Sequence, residues 1–144
     1  GAGIKVSSEW LNAGKPYITK NSVESRNGVY GNEASKFRKY RSPGEFLKDY
    51  EKKIRQDYPR CARNHDNIWG YFAGLYDGRI GKWATDHNYY EKLTVKAIKL
   101  APEIYSSKWK HKLIKDFKVA ARRNSLENWQ KDIIRSELKK ANVL

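Results

Sequence analysis

Three histidines (His65, His87 and His111) and a single cysteine, Cys61, are the side chains of this 144-residue chain suited to nucleophilic attack or soft-metal ligation near neutral pH. With one thiol and three scattered imidazoles, a structural zinc site is not expected, and no fixed Cys–His spacing marks an activated nucleophile. No glycine-rich phosphate loop and no nucleophile elbow occurs. The histidines read as solvated or packing residues and Cys61 as a small core or surface thiol. No metal or cofactor is expected. One cysteine also rules out an internal disulfide. Among the other groups able to carry chemistry the chain has 16 Asp plus Glu, 10 Tyr and 5 Trp.

The bulk charge narrows the partners. Thirty Lys plus Arg give a formal net charge of +14 and a pI near 9.8. Such a surface attracts polyanions: nucleic acid, anionic lipid, or the teichoic-acid-laden bacterial wall. The excess runs along the whole chain, with no block of five or six like charges that would mark a nucleic-acid tail. No known nucleic-acid module is visible and the aromatics recur on core stripes, so nucleic acid is an unlikely partner. No apolar run approaches the roughly 18 residues that a membrane-spanning helix requires, and no signal-peptide core is present. Methionine is absent and the chain opens Gly1-Ala2-Gly3, which reads as a processed product or an excised piece.

Two longer segments carry more specific information. The first is Phe37-Arg38-Lys39-Tyr40-Arg41-Ser42-Pro43-Gly44-Glu45-Phe46-Leu47-Lys48-Asp49-Tyr50. The second is Trp83-Ala84-Thr85-Asp86-His87-Asn88-Tyr89-Tyr90-Glu91-Lys92-Leu93. Together they resemble the glucosaminidase domain of bacterial cell-wall autolysins and flagellar muramidases, whose members cleave peptidoglycan glycan chains. That family reads F-R-x-Y-x-S, then a helix ending in D-Y, and later Y-A-T-D-P-x-Y-A-x-K-L. Gly3-Ile4-Lys5, followed by Trp10 and Gly14, is similar to the family's F-G-I-K segment and the tryptophan after it. The resemblance covers roughly residues 3–100.

The resemblance implies a site. Family members carry a glutamate in a β-hairpin, before an Asn-Gly turn and ahead of F-R-x-Y; Glu24 stands in that arrangement before Asn27-Gly28 and Phe37. It implies that Glu24 is a catalytic carboxylate that activates water or stabilises an oxocarbenium-like transition state in cleavage of the β-1,4 glycan bond. Tyr89 matches the tyrosine of D-P-x-Y. With Tyr40, Trp83 and Asp86 it is expected to line the saccharide groove, where aromatic faces stack on sugar rings. Asp86 reads equally as a helix cap, and Trp83 and Tyr90 equally as core packing. Trp83 stands where the family usually has Tyr, and His87 where it usually has Pro.

The family's general acid, a glutamate of an E-S-G-W-type helical segment, belongs upstream of Gly3-Ile4-Lys5, and Glu9 lies past it. The chain alone is therefore expected to be inactive, with a second chain or upstream segment completing the domain and covering the helices of residues 43–100. Three origins are open: a cut precursor whose other half stays bound, a domain that kept glycan binding and lost catalysis, or one segment of a large assembly. The alternative function is a non-catalytic structural or cell-wall-binding protein, such as a phage tail or virion component. The location implied is the bacterial cell wall, the exterior, or a phage virion.

The elements that must position these residues are mainly helical. Residues 1–41 read as a β-hairpin lobe, with a strand at Tyr17-Ile18-Thr19 and a tight turn at Asn27-Gly28. Ser42, Pro43 and Glu45 form a capping signature for a helix whose inward residues are Phe46, Leu47, Tyr50 and Ile54, stopped by Tyr58-Pro59. A second helix is predicted from about Asp66, its candidate cap, to Leu75. A third starts after Thr85 or Asp86 with a stripe of Tyr90, Leu93, Ala97 and Leu100, ended by Pro102. Two basic amphipathic helices follow, capped by Ser106 or Ser107 and by Ser125, and form an extension over 101–144. They could pack on the domain, bind a neighbouring subunit or contact an anionic wall polymer. The expected fold is mainly α: part of a lysozyme-like helical domain with a small β-hairpin lobe, plus two C-terminal amphipathic helices.

Overall fold

The computed structural model describes residues 3–79, 81–84, 86 and 88–144. The chain is mainly helical with one two-stranded antiparallel sheet. It divides into two compact units, Gly1–Lys53 and Ile54–Leu144. Among the described residues no helix is long and apolar enough to cross a membrane.

The first unit is built on a long ribbon. Strand β1 (Tyr17–Arg26) pairs with β2 (Val29–Arg38), with Arg26 opposite Val29 across the Asn27-Gly28 turn. Asn27 and Gly28 have φ of 53° and 80°. Positive φ at both central residues gives the turn whose twist matches that of the strands, and Asn-Gly tolerates it best. The strand predicted at Tyr17 is thus the start of a ten-residue one. Residues 4–6 lie along the far edge of β2: Arg38 N–H donates to the Ile4 carbonyl at 2.8 Å and Val6 N–H to Lys36 at 3.1 Å. A short helix α1 (Ser8–Asn12) follows, its first turn capped by the Ser7 hydroxyl.

Helix α2 (Pro43–Asp57) starts as the sequence indicates. The Ser42 hydroxyl accepts from Glu45 N–H at 3.2 Å, and the Glu45 carboxylate accepts from Arg41 N–H at 3.2 Å, one residue before the usual reciprocal partner. Its inward residues are Phe46, Tyr50 and Ile54, each four apart. Leu47, expected among them, is 60% exposed, because it lies about 100° around the helix from Phe46.

In the second unit, α3 (Pro59–Arg63), α4 (Ile68–Gly74), α5 (Tyr89–Tyr105), α6 (Trp109–Arg122) and α7 (Asn128–Lys140) follow, with one 3-10 turn at Ser106–Lys108. Helices α4 to α7 share one core of Trp69, Tyr90, Ile98, Leu113, Ile134 and Leu138 with their neighbours. Three donors inside it are matched: Trp69 Nε1–H donates to the Leu113 carbonyl at 3.0 Å, Asn67 Nδ2–H to the Asp116 carbonyl at 2.8 Å, and Tyr90 O–H to the Trp69 carbonyl at 3.1 Å, while Oδ2 of the buried Asp116 has no hydrogen-bond partner. Residue 100 falls inside α5, and residues on both sides of it contribute to this core. Cys61 is fully buried, its thiol 3.2 Å from the Tyr71 carbonyl.

Several local expectations are corrected here. Pro102 lies within α5 and does not end it; the helix runs one turn further, to Ser106 at a φ of 56°. The buried stripe of α5 is Tyr90, Thr94, Ile98 and Ala101, so Leu93 and Ala97 are half-buried and Leu100 is exposed. Asn67, not Asp66, caps α4, accepting from Gly70 N–H at 3.1 Å. Glu127, not Ser125, caps α7, in a capping box with Gln130. The predicted cap Thr85 lies outside the described residues, as does His87; α5 begins after Asn88.

Candidate functional site

Glu24 and Tyr40 belong to the first unit; Trp83, Asp86 and Tyr89 belong to the second.

In an antiparallel ribbon alternate residues share a face. Lys20, Ser22, Glu24 and Arg26 of β1 therefore lie on one face with Glu33, Ser35 and Phe37 of β2. This face is the more shielded one, while Tyr17, Val23 and Tyr30 on the other are exposed. The Glu24 side chain is only 14% exposed. Its Oε1 accepts from the Lys5 ammonium and from the Ser22 hydroxyl, the latter at 2.6 Å; the Ser22 and Ser35 hydroxyls are also 2.6 Å apart. Burial alone would raise the Glu24 carboxyl. The hydrogen bonds from Lys5 and Ser22, with the nearby Lys5 and Arg26 charges, outweigh it and hold the group below the usual carboxylate range. Glu24 is thus an anchored, ionised carboxylate, suited to accept a proton from water or to face a developing positive charge, and unsuited to donate a proton.

Tyr40 has a different setting. Its hydroxyl donates to Asp49 at 2.5 Å, and its ring packs edge-on to Trp10 and Phe46 at 5.8 and 5.3 Å. Burial and the adjacent Asp49 carboxylate push its phenol upward. Arg38 completes the cluster with two bonds to Asp49, at 2.8 and 3.0 Å. Arg38 and Tyr40 of F-R-x-Y and Asp49 of D-Y thus join in one ion-and-phenol lock between β2 and α2, and the hydroxyl of Tyr40 is engaged within it. No hydrogen bond joins Glu24 to Tyr40; Glu24 binds Lys5 and Ser22, and Tyr40 binds Asp49.

In the second unit, Asp86 and Tyr89 come together at the start of α5. The Asp86 carboxylate accepts from Asn88 N–H at 2.9 Å and from the Lys92 ammonium at 2.5 Å, and its carbonyl accepts from Tyr89 N–H at 3.1 Å. That is the chemistry of a helix start: a carboxylate beside free N–H groups and the positive end of the helix dipole. Trp83 N–H donates to the Leu75 carbonyl at 2.8 Å, and its indole packs edge-on to Tyr58 at 5.4 Å.

Tyr76 was not singled out from the sequence. Its hydroxyl accepts from Tyr90 N–H at 2.8 Å, and its ring packs against Tyr90 and Trp129. Burial raises its phenol, the Tyr90 N–H lowers it, and nearby Tyr89 and Asp86 raise it further. Lys5 and Ser22 were also missed. For Ser22 a signal existed, since a residue two before Glu24 on a strand shares its face. Lys5 stands in the segment similar to F-G-I-K, but nothing in the sequence signalled its pairing with Glu24, nineteen positions away.

Among the described residues no group of three His, Cys, Asp or Glu side chains is placed to hold a metal ion. Comparison of the chain with protein-family models, with curated proteins and with solved structures yields no match.

Proposed function

We propose that this chain is a component of a peptidoglycan-cleaving glycoside hydrolase of the endo-β-N-acetylglucosaminidase type, and that its helices form part of a lysozyme-like domain. The observation that carries the reading is the ionised Glu24, held on the shielded face of a hairpin by Lys5 and Ser22, together with the two ordered motifs. Cleavage of a glycosidic bond needs one protonated carboxyl to give a proton to the leaving oxygen and one ionised carboxyl at the sugar. Glu24 fits the second role. The first falls to a glutamate outside this chain, on a second chain or an upstream segment. Tyr89 and Trp83 would bound the sugar-binding groove, with Asp86 setting the turn that presents Tyr89. The place of action would be the bacterial wall or a phage particle that attacks it.

The test is Glu24→Gln in the complete assembly, assayed on purified cell walls. A loss on the order of 10²–10⁴ in rate is expected for removal of such a group. Unchanged cleavage would sink the assignment.

A second reading has its own support. The exposed face of the ribbon carries Tyr17, with the Lys36 ammonium 4.9 Å from its ring centroid, and Tyr30 at the other end beside the turn, on a chain of net charge +14. Aromatic and cationic groups displayed together suit adhesion to an anionic, sugar-rich wall without cleavage. Retention on peptidoglycan by the complete assembly, with no glycan cut, would favour this reading.

A further inference from the structure

Three large apolar residues of α5 project from the core, Val95 on a separate side of the helix from the other two: Ile104 is 64% exposed and Leu100 41%. With the half-buried Leu93 and Ala97, Leu100 and Ile104 make a line spaced four, three, four along the helix. Beside Ile68 and Phe72 of α4 this line borders a groove of about 220 Å³. Four-three spacing is the seam of a helix that pairs with another helix.

The flank of the seam names the partner. Lys96 and Glu103 lie seven residues apart on the same side of the line, and both are exposed. Neither takes part in an ion pair among the described residues. When two copies of α5 are laid antiparallel about a two-fold axis, Leu100 falls opposite Ala97 of the second copy, and Ile104 opposite Leu93 of the second copy. The projecting side chains of each helix then meet the small or sunken positions of the other. The same register sets Lys96 against Glu103 of the second copy, and the axis repeats that pair in the opposite sense. A parallel arrangement would put Ile104 against Ile104 and Ala97 against Ala97, bulk on bulk and gap on gap.

We infer that the chain self-associates through α5, antiparallel, in this register. The seam is complementary to itself in shape and in charge, which favours a second copy over an unrelated helix or an acyl chain.

Sedimentation velocity of the full chain across a concentration series tests this. It should be run at physiological ionic strength, where a screening length of about 8 Å damps the mutual repulsion of the two +14 chains. The wild type is expected to shift from monomer to dimer with concentration. Ile104→Asp should hold it monomeric. Lys96→Glu alone and Glu103→Lys alone should each weaken the dimer, because like charges then face across the seam, and the double reversal should restore it. All three substituted positions are exposed, and helical circular dichroism verifies the fold of each variant. A wild type that stays monomeric throughout, a dimer indifferent to Ile104→Asp, or a double reversal that fails to rescue would each overturn the inference.

Discussion

Tyr40 donates a 2.5 Å hydrogen bond to Asp49, and Arg38 closes on the same carboxylate at 2.8 and 3.0 Å. Asp49 is the acceptor for the last residues of β2 and the loop after it, so it ties the ribbon to α2 through side chains alone. Burial would raise its carboxyl, but the bonds from Tyr40 and Arg38 outweigh this and hold it below the usual range. A depressed folded value means that the stabilisation is fully present above the ordinary value of about 4 and is lost as pH falls through the folded one. Asp49→Asn should cost about 1–3 kcal/mol at neutral pH and flatten the acid side of the stability curve. Denaturant titrations from neutral to strongly acidic pH decide it; identical acid limbs would refute the role given to Asp49.

Lys5 helps, with Ser22 and Arg26, to hold the Glu24 carboxyl below its usual range, so its removal should be visible in the pH profile of any wall cleavage. With Lys5→Met the Glu24 carboxyl rises, the reactive ionised form is lost at a higher pH, and the acid limb of the activity profile moves upward. Lys5→Arg should leave the limb near its original position. An unmoved limb in the methionine variant would show that Lys5 does not govern the group whose titration limits the rate.

Gly74 lies where a Cβ would stand 2.6 Å from the Cys61 backbone nitrogen and 2.9 Å from its sulfur. A backbone atom cannot swing aside as a flexible side chain can. Gly74→Ala gains about 1 kcal/mol of helix propensity, against an overpacking cost of about 1–3 kcal/mol. Thermal unfolding should therefore show a lower Tm than the wild type. A higher Tm would mean that α3 and α4 separate at little cost.

Trp69 is fully buried, and its indole N–H is the partner of the Leu113 carbonyl. Trp69→Phe keeps a ring and removes the donor. Inside α6 the Leu113 carbonyl keeps its helical partner, so what is lost is one buried hydrogen bond and part of the ring's packing, about 1–3 kcal/mol, read as a lower denaturation midpoint. An unchanged midpoint would show that the Trp69–Leu113 bond adds nothing to stability.

What the sequence disclosed, and what it hid, follows from the range of the interactions. The Asn27-Gly28 turn and the Ser42 cap depend on neighbours within a few residues and were legible. Asp66 and Ser125 looked like caps by the same local rules. The fold employs them elsewhere: Asp66 is clamped by Arg123, at 2.9 and 3.0 Å, and Ser125 reaches Asn64 at 3.3 Å while Arg60 takes its carbonyl at 2.8 Å. These partners lie 57 to 65 positions away. No local pattern announces them, and Asn67 and Glu127 inherit the caps. The same limit applies to the candidate site. Glu24 is singled out by what the resemblance implies for a glutamate before the Asn27-Gly28 turn, whereas its pairing with Lys5 is seen only with residues 4–6 laid along β2.

The single cysteine has a consequence for where such a fold can persist. Cys61 is fully buried, and burial pushes its thiol up to about 12. Almost no thiolate exists at neutral pH, and none is displayed to an oxidant or to glutathione. The fold contains no sulfur–sulfur bond that a reducing compartment could cut, and offers no surface thiol from which an oxidising one could make it. Its stability is therefore indifferent to redox potential, and the same packing can be kept on either side of a cell envelope.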